Sequence, residues 1–254
     1  MEPARYLKWN GDSSDTIVFI HGYADNAQMF EPLRTIFPNK CLISICLPMN
    51  QSEDKIYDIN GLSEYVLTVL KEIPITTYSL VGFSLGGLIA TDVASKVKNV
   101  RKLVLLSSFP FLIGEIPFRN LLCKVTSLFK VKFLLFIYSR LNTNKTIRQL
   151  LTGADLPSQT KILMKNKYYS IFGTLFNCLF YSGLSKYKNL NIPKKIILFQ
   201  DDRALPYKRF YKYANKHGLE VATIKNGGHN TTSDYWKNVG VILKDFLQSI
   251  NNAN

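Results

Sequence analysis

No long apolar run, no cysteine framework and no internal repeat organises this chain. Its apolar stretches, such as FLLFIY (Phe133 to Tyr138), fall far short of the roughly 20 residues that cross a bilayer as a helix. The first fifteen residues, MEPARYLKWNGDSSD, hold no apolar segment of the secretory kind and carry acids early. On this reading the protein is expected to be cytoplasmic. The four cysteines, Cys41, Cys46, Cys123 and Cys178, have neither metal-ligand nor disulfide-framework spacing. They read as reduced structural thiols, which suits a cytosol. Cys41 and Cys46 fall on one predicted strand, where an odd offset points them to opposite faces. Neither a metal nor a cofactor is expected.

Acids are scarce as well, and unevenly so. The net charge is +14. Between Arg119 and Lys186 there are 11 Lys and Arg against one acid, Asp155, and Lys188 to Lys216 adds eight against Asp201 and Asp202. A localised basic field favours an anionic substrate group or an acidic lipid surface. The plainer reading is a solvated lysine face in a chain generally rich in Lys, Asn and Ile. No nucleic-acid-binding motif accompanies the charge, so no nucleic acid is expected as a partner.

What is present is enough chain, 254 residues at 46% apolar, for one sizeable α/β domain over residues 1–254. Strand patterns (Thr16 to Ile20, Cys41 to Leu47, Tyr78 to Val81, Val100 to Leu106, Lys194 to Phe199, Leu219 to Ile224) alternate with helical ones (Leu62 to Ile73, Leu85 to Lys96, Pro206 to Gly218, Ser233 to Ile250). Thr16 to Ile20 is a continuous β-rich run, as in a strand buried on both faces, and the alternation implies a parallel sheet covered on both sides. From Ser107 to Lys188 the alternation stops, and apolar, aromatic, lysine-studded helical segments take over. Residues 108–188 are therefore expected to form a helical lid inserted over one end of the sheet.

The stretch SLVGFSLGGLIATDVA (Ser79 to Ala94) seats a small polar residue, Ser84, between a buried strand and a buried helix. A tight turn would explain the glycines; so would a nucleophile. A serine hydroxyl needs a base within hydrogen-bond reach and a group that orients the base. There are three histidines. His217 lies in the last turn of a helix, where a surface imidazole is favoured by the dipole. His21, directly after the first buried strand, reads as a structural residue that orients its loop. His229, in GGHN between the last strand and last helix, lies at the sheet edge that Ser84 must occupy if the sheet is parallel. Asp201 and Asp202 follow the strand KKIILF at that same edge. Donors for an oxyanion are available from the backbone N–H of Leu85, which opens a helix, and from HGYADN, at Tyr23.

These motifs together resemble the α/β-hydrolase superfamily, of the small lidded sort. GFSLG (Gly82 to Gly86) is similar to its Gly-x-Ser-x-Gly nucleophile elbow. HGYADNAQMF resembles the His-Gly oxyanion loop, NIPKKIILFQDDRALP the acid-bearing strand and loop, and GGHN with VGVILKDFL the histidine loop and closing helix. Where the family usually has a glycine three residues before the acid, this chain has Phe199. The proline four positions after the acid selects Asp202 over Asp201. The resemblance implies an α/β-hydrolase fold, with a mostly parallel central sheet, helices on both faces and an inserted helical lid. It implies Ser84, Asp202 and His229 as catalytic residues, in the family's chain order. The expected activity is serine-dependent hydrolysis of a small carboxylic ester through an acyl-enzyme, with an apolar acyl or aryl group suggested by the aromatic lid. The same machinery serves C–C bond, thioester and lactone hydrolases. A ligand-sensing receptor with little turnover is the alternative of another class.

Overall fold

A computed structural model describes residues 4–11, 14–23, 25–50, 55–112, 168–229 and 233–248. Seven strands form one sheet: β1 (Tyr6–Trp9), β2 (Thr16–Ile20), β3 (Cys41–Ile45), β4 (Tyr78–Phe83), β5 (Val100–Leu106), β6 (Lys194–Phe199) and β7 (Val221–Ile224). Their order is β1-β3-β2-β4-β5-β6-β7. Only β1 runs antiparallel, pairing with β3 at one edge. It was not anticipated, because Tyr6–Trp9 is short, half-exposed and edge-bound, and so lacks the apolar run of a buried strand.

Period-two alternation sends the strands' side chains to two cores. Val18, Ile20, Ile43 and Leu80 pack with Leu62, Val66, Leu88, Ile89, Phe210 and Ala214. Those residues come from α1 (Ile59–Lys71), α2 (Leu85–Lys96) and α5 (Tyr207–His217). Ile17, Phe19, Val81 and Val104 pack with Phe30, Leu33, Tyr235, Trp236 and Val239, from a 3-10 helix, Ala27–Arg34, and from α6 (Ser233–Gln248).

Element ends moved where a polar group competes. α1 starts three residues earlier than its apolar pattern, because the Asp58 carboxylate accepts the Gly61 N–H at 2.7 Å as N-cap. β3 stops at Ile45, short of Leu47, because the Leu47 N–H is taken by the ring of His21 at 3.2 Å. Cys46 therefore lies just past the strand, half-buried; Cys41 and Cys178 are buried, and all three are free thiols.

Most of the expected lid, including Cys123, lies outside the described residues. Of its return, α3 (Tyr168–Leu179) and α4 (Leu184–Asn189) are described. Phe111 and Ser182 pair in an antiparallel bridge, so the chain returns beside the point where it left β5. Among the described residues no helix is long and apolar enough to cross a membrane.

Candidate active site

The six parallel strands end at one rim, and the segments leaving that rim carry His21, Tyr23, Ser84, Leu85, Asp201, Asp202 and His229. From Tyr78 to Ala94 each residue is buried except Ser84. Its backbone sits at φ 52, ψ −120, a conformation costing a non-glycine residue roughly 1–3 kcal/mol. Close packing enforces the turn. A Cβ at Gly86 would lie 2.1 Å from the Ile20 carbonyl oxygen, so only glycine lets the start of α2 approach the end of β2. The Ser84 N–H donates to the Leu106 carbonyl at 3.0 Å, and the Ser108 hydroxyl donates to the Ser84 carbonyl at 2.6 Å. The turn is thus tied to the end of β5.

Ser84 Oγ lies 2.9 Å from His229 Nε2, and His229 Nδ1 lies 2.8 Å from Asp202 Oδ2. A carboxylate only accepts, so Nδ1 carries the proton and Nε2 is free to accept from the serine. The Asp202 side chain is buried, and its other oxygen accepts the N–H groups of Ala204 and Leu205, each at 2.8 Å. The carboxylate is thereby fixed from both sides.

Asp201, the carboxylate not selected for the histidine, is exposed and also bound. Its two oxygens accept the N–H groups of Gly227 and Gly228 at 3.1 and 2.8 Å, clamping the loop that carries His229. Phe199 fits where the family usually has glycine because the small residue stands across from it. A Cβ at Gly227 would meet the Phe199 ring at 2.6 Å. The ring stacks on Tyr235, centroids 4.7 Å apart, and the Tyr235 hydroxyl reaches Ser107 Oγ at 3.1 Å. Burial pushes this phenol well up, so it stays protonated. Phe83 covers His229 from below, with ring centroids 5.0 Å apart.

The loop after β2 closes the other side. A Cβ at Gly22 would be 3.0 Å from Ser84 Cβ, which puts the Gly22–Tyr23 backbone against the serine. Leu85, the first residue of α2, is buried. His21 is 1% exposed. Its Nδ1–H donates to the Gly22 carbonyl at 2.9 Å, and its Nε2 accepts from Leu47. Desolvation lowers its pKa to about 4, against the Gly22 contact, so the ring is neutral and serves to hold the loop. His217 ends α5, stacked on Tyr213 and away from this rim.

Two residues escaped the sequence reading. Ser108 could have been noticed as a hydroxyl just past the strand adjacent to β4. Asp25 stands in the quoted loop HGYADN; burial raises its carboxyl to about 6, against the Asn26 N–H and nearby His229. Among the described residues, no three or more His, Cys, Asp or Glu side chains cluster as metal ligands.

The model of the alpha/beta hydrolase family matches residues 17–238. Three solved structures share the architecture. A lipase-esterase related protein from Clostridium acetobutylicum is 22% identical, with a TM-score of 0.68 over 95% of this chain and 98% of that one. An esterase from Exiguobacterium antarcticum is 16% identical, with a TM-score of 0.71 over 96% and 95%. A bromoperoxidase from Bacillus anthracis is 17% identical, with a TM-score of 0.72 over 96% and 95%. At such identities the likeness is one of fold. No curated protein matches the chain.

Proposed function

The chain belongs to the alpha/beta hydrolase family, and from that premise we propose that it is a serine-dependent carboxylic ester hydrolase. The observation that supports this most is the unbroken run from Ser84 Oγ through the His229 ring to Asp202, at 2.9 and 2.8 Å. On this reading Ser84 attacks the ester carbonyl as His229 Nε2 takes its proton. Asp202 holds the tautomer and offsets the charge of the imidazolium. The backbone N–H groups of Tyr23 and Leu85 bind the developing oxyanion. The imidazolium then gives its proton to the leaving alcohol, which frees the acyl-enzyme. A water, deprotonated by His229, attacks the acyl carbon, and the proton returns to Ser84 as the acid departs.

The segment 108–188 is the element proposed to choose the substrate. Its two described ends meet in the Phe111–Ser182 bridge. Its apolar and aromatic composition suits an apolar acyl or aryl group, and its lysines an anionic end or an acidic lipid surface. In the test, a series of p-nitrophenyl esters is offered to the wild type and to Ser84→Ala. The expected result is turnover by the wild type and a loss of roughly 10⁴-fold or more in kcat for the variant. Equal rates in the two proteins would reject the assignment.

A further inference from the structure

The opposite end of the sheet holds a second concavity. A cavity of about 960 Å³ opens where β4 and β5 begin, and its wall includes Lys40, Ser79, Lys98, Arg101, Lys102 and Lys244. Ser79 lies near the start of β4 and Ser84 directly follows its end, five residues on, so this cavity lies ~16 Å from the serine at 3.3 Å per residue. Asp15 is the one carboxylate among the lining residues, and it is paired with Lys40. Lys102 is 6% exposed and Lys40 7%. The Lys102 ammonium donates to the Phe246 carbonyl at 2.8 Å. Burial and then Lys40 lower its pKa, with Asp15 opposing. Lys98, Arg101 and Lys244 are exposed. Among the described residues none of the three pairs with a carboxylate.

We propose that this cavity is a binding site for a small soluble polyanion, a metabolite bearing two or more phosphate groups. Four cations beyond the Lys40–Asp15 pair converge on it, and its volume matches the ~300–1,000 Å³ of small-ligand sites. Arg101 offers the planar fork that suits phosphate oxygens. Two of the lysines are buried while the other cations stand exposed, which gives the charge depth. A flat lipid surface would meet the exposed three from one side; a compact polyphosphate can enter among them, with the two buried ammoniums behind.

The test is calorimetric titration of the full chain with sodium tripolyphosphate. It is run at low and at raised salt on the wild type, on Arg101→Glu/Lys244→Glu, and on the milder pair Lys98→Gln/Lys244→Gln, with circular dichroism to verify each fold. Sedimentation with phosphatidylcholine vesicles containing phosphatidylserine runs alongside. The expected result is saturable binding by the wild type, weakened by salt and by roughly tenfold or more in a folded variant, without vesicle sedimentation. Three results would overturn the proposal: no saturable binding by the wild type, equal binding by both folded variants, or retention on the vesicles alone. Hydrolysis at Ser84 is a separate measurement, so either idea can fail without the other.

Discussion

At the scale of single residues, two adjacent carboxylates divide one task. Asp202 bonds the His229 ring, while Asp201 holds the backbone of the loop beneath it. Their variants should therefore differ in kind. Asp202→Asn keeps the shape but presents an amide to Nδ1, which disfavours the tautomer that needs Nε2 as acceptor. It should lower kcat on a p-nitrophenyl ester by roughly 10⁴-fold. Asp201→Asn retains one acceptor for the two glycine N–H groups and should cost far less, about tenfold. Equal losses in steady-state rates would mean the roles are assigned wrongly. Asp25 yields a prediction about pH. Its carboxyl is raised to about 6, chiefly by burial, so between about pH 4 and 6 the folded chain holds more protons than the unfolded chain. Its contribution to stability falls across that window and is flat above it. Asp25→Asn should then gain in thermal midpoint relative to the wild type on going from pH 4 to pH 7. A gain that shrinks over that interval would contradict the burial argument.

At the scale of elements, α2 does more than carry the turn at its start. Its Asp92, with a side chain 1% exposed, accepts from Ser63 of α1 at 2.6 Å and from Tyr181 at 2.9 Å, pairs with Lys96 at 2.9 Å, and contacts Lys186 of α4. One carboxylate thus pins the returning segment to the helices beneath it. Burial alone would push this group up; the contacts with Lys186, Ser63, Lys96 and Tyr181 outweigh it and hold it at about 2. The linkage sign is opposite to that of Asp25: its stabilisation is full above about pH 4 and is lost as pH falls toward 2. Asp92→Asn should cost roughly 2–4 kcal/mol at pH 7 and converge with the wild type in acid. Denaturant titrations at both pH values check this, and a constant difference would show that the carboxylate's charge is not what matters. Asp92 was unreadable in the sequence for a physical reason. It lies in an apolar helix, and its partners come from positions as far away as Lys186.

At the scale of the whole molecule, what was legible depended on how local its cause is. Buried parallel strands announce themselves by continuous apolar runs, and the bounds of α2, β5 and β6 match their patterns. The rim residues were legible because each lies within a few residues of a strand's end, Ser84 directly and His229 five residues past β7, and parallel pairing brings strand ends together. What linear reading lost was charge. Counted along the chain, the basic excess falls between Arg119 and Lys216 and leaves the remainder at −2. Yet Lys40, Lys98, Arg101, Lys102 and Lys244 all come from that remainder, and the sheet gathers them at one edge. A field in space is not a count along a chain.

Activation of one hydroxyl by a distant imidazole is the central claim, and fluorophosphonate labelling followed by peptide mapping tests it most directly. The reagent bonds an activated serine and passes over an ordinary one. The predicted result is a single phosphonylated peptide containing Ser84, lost in His229→Ala while that variant remains folded. A label on another serine, or undiminished labelling of Ser84 without His229, would contradict it.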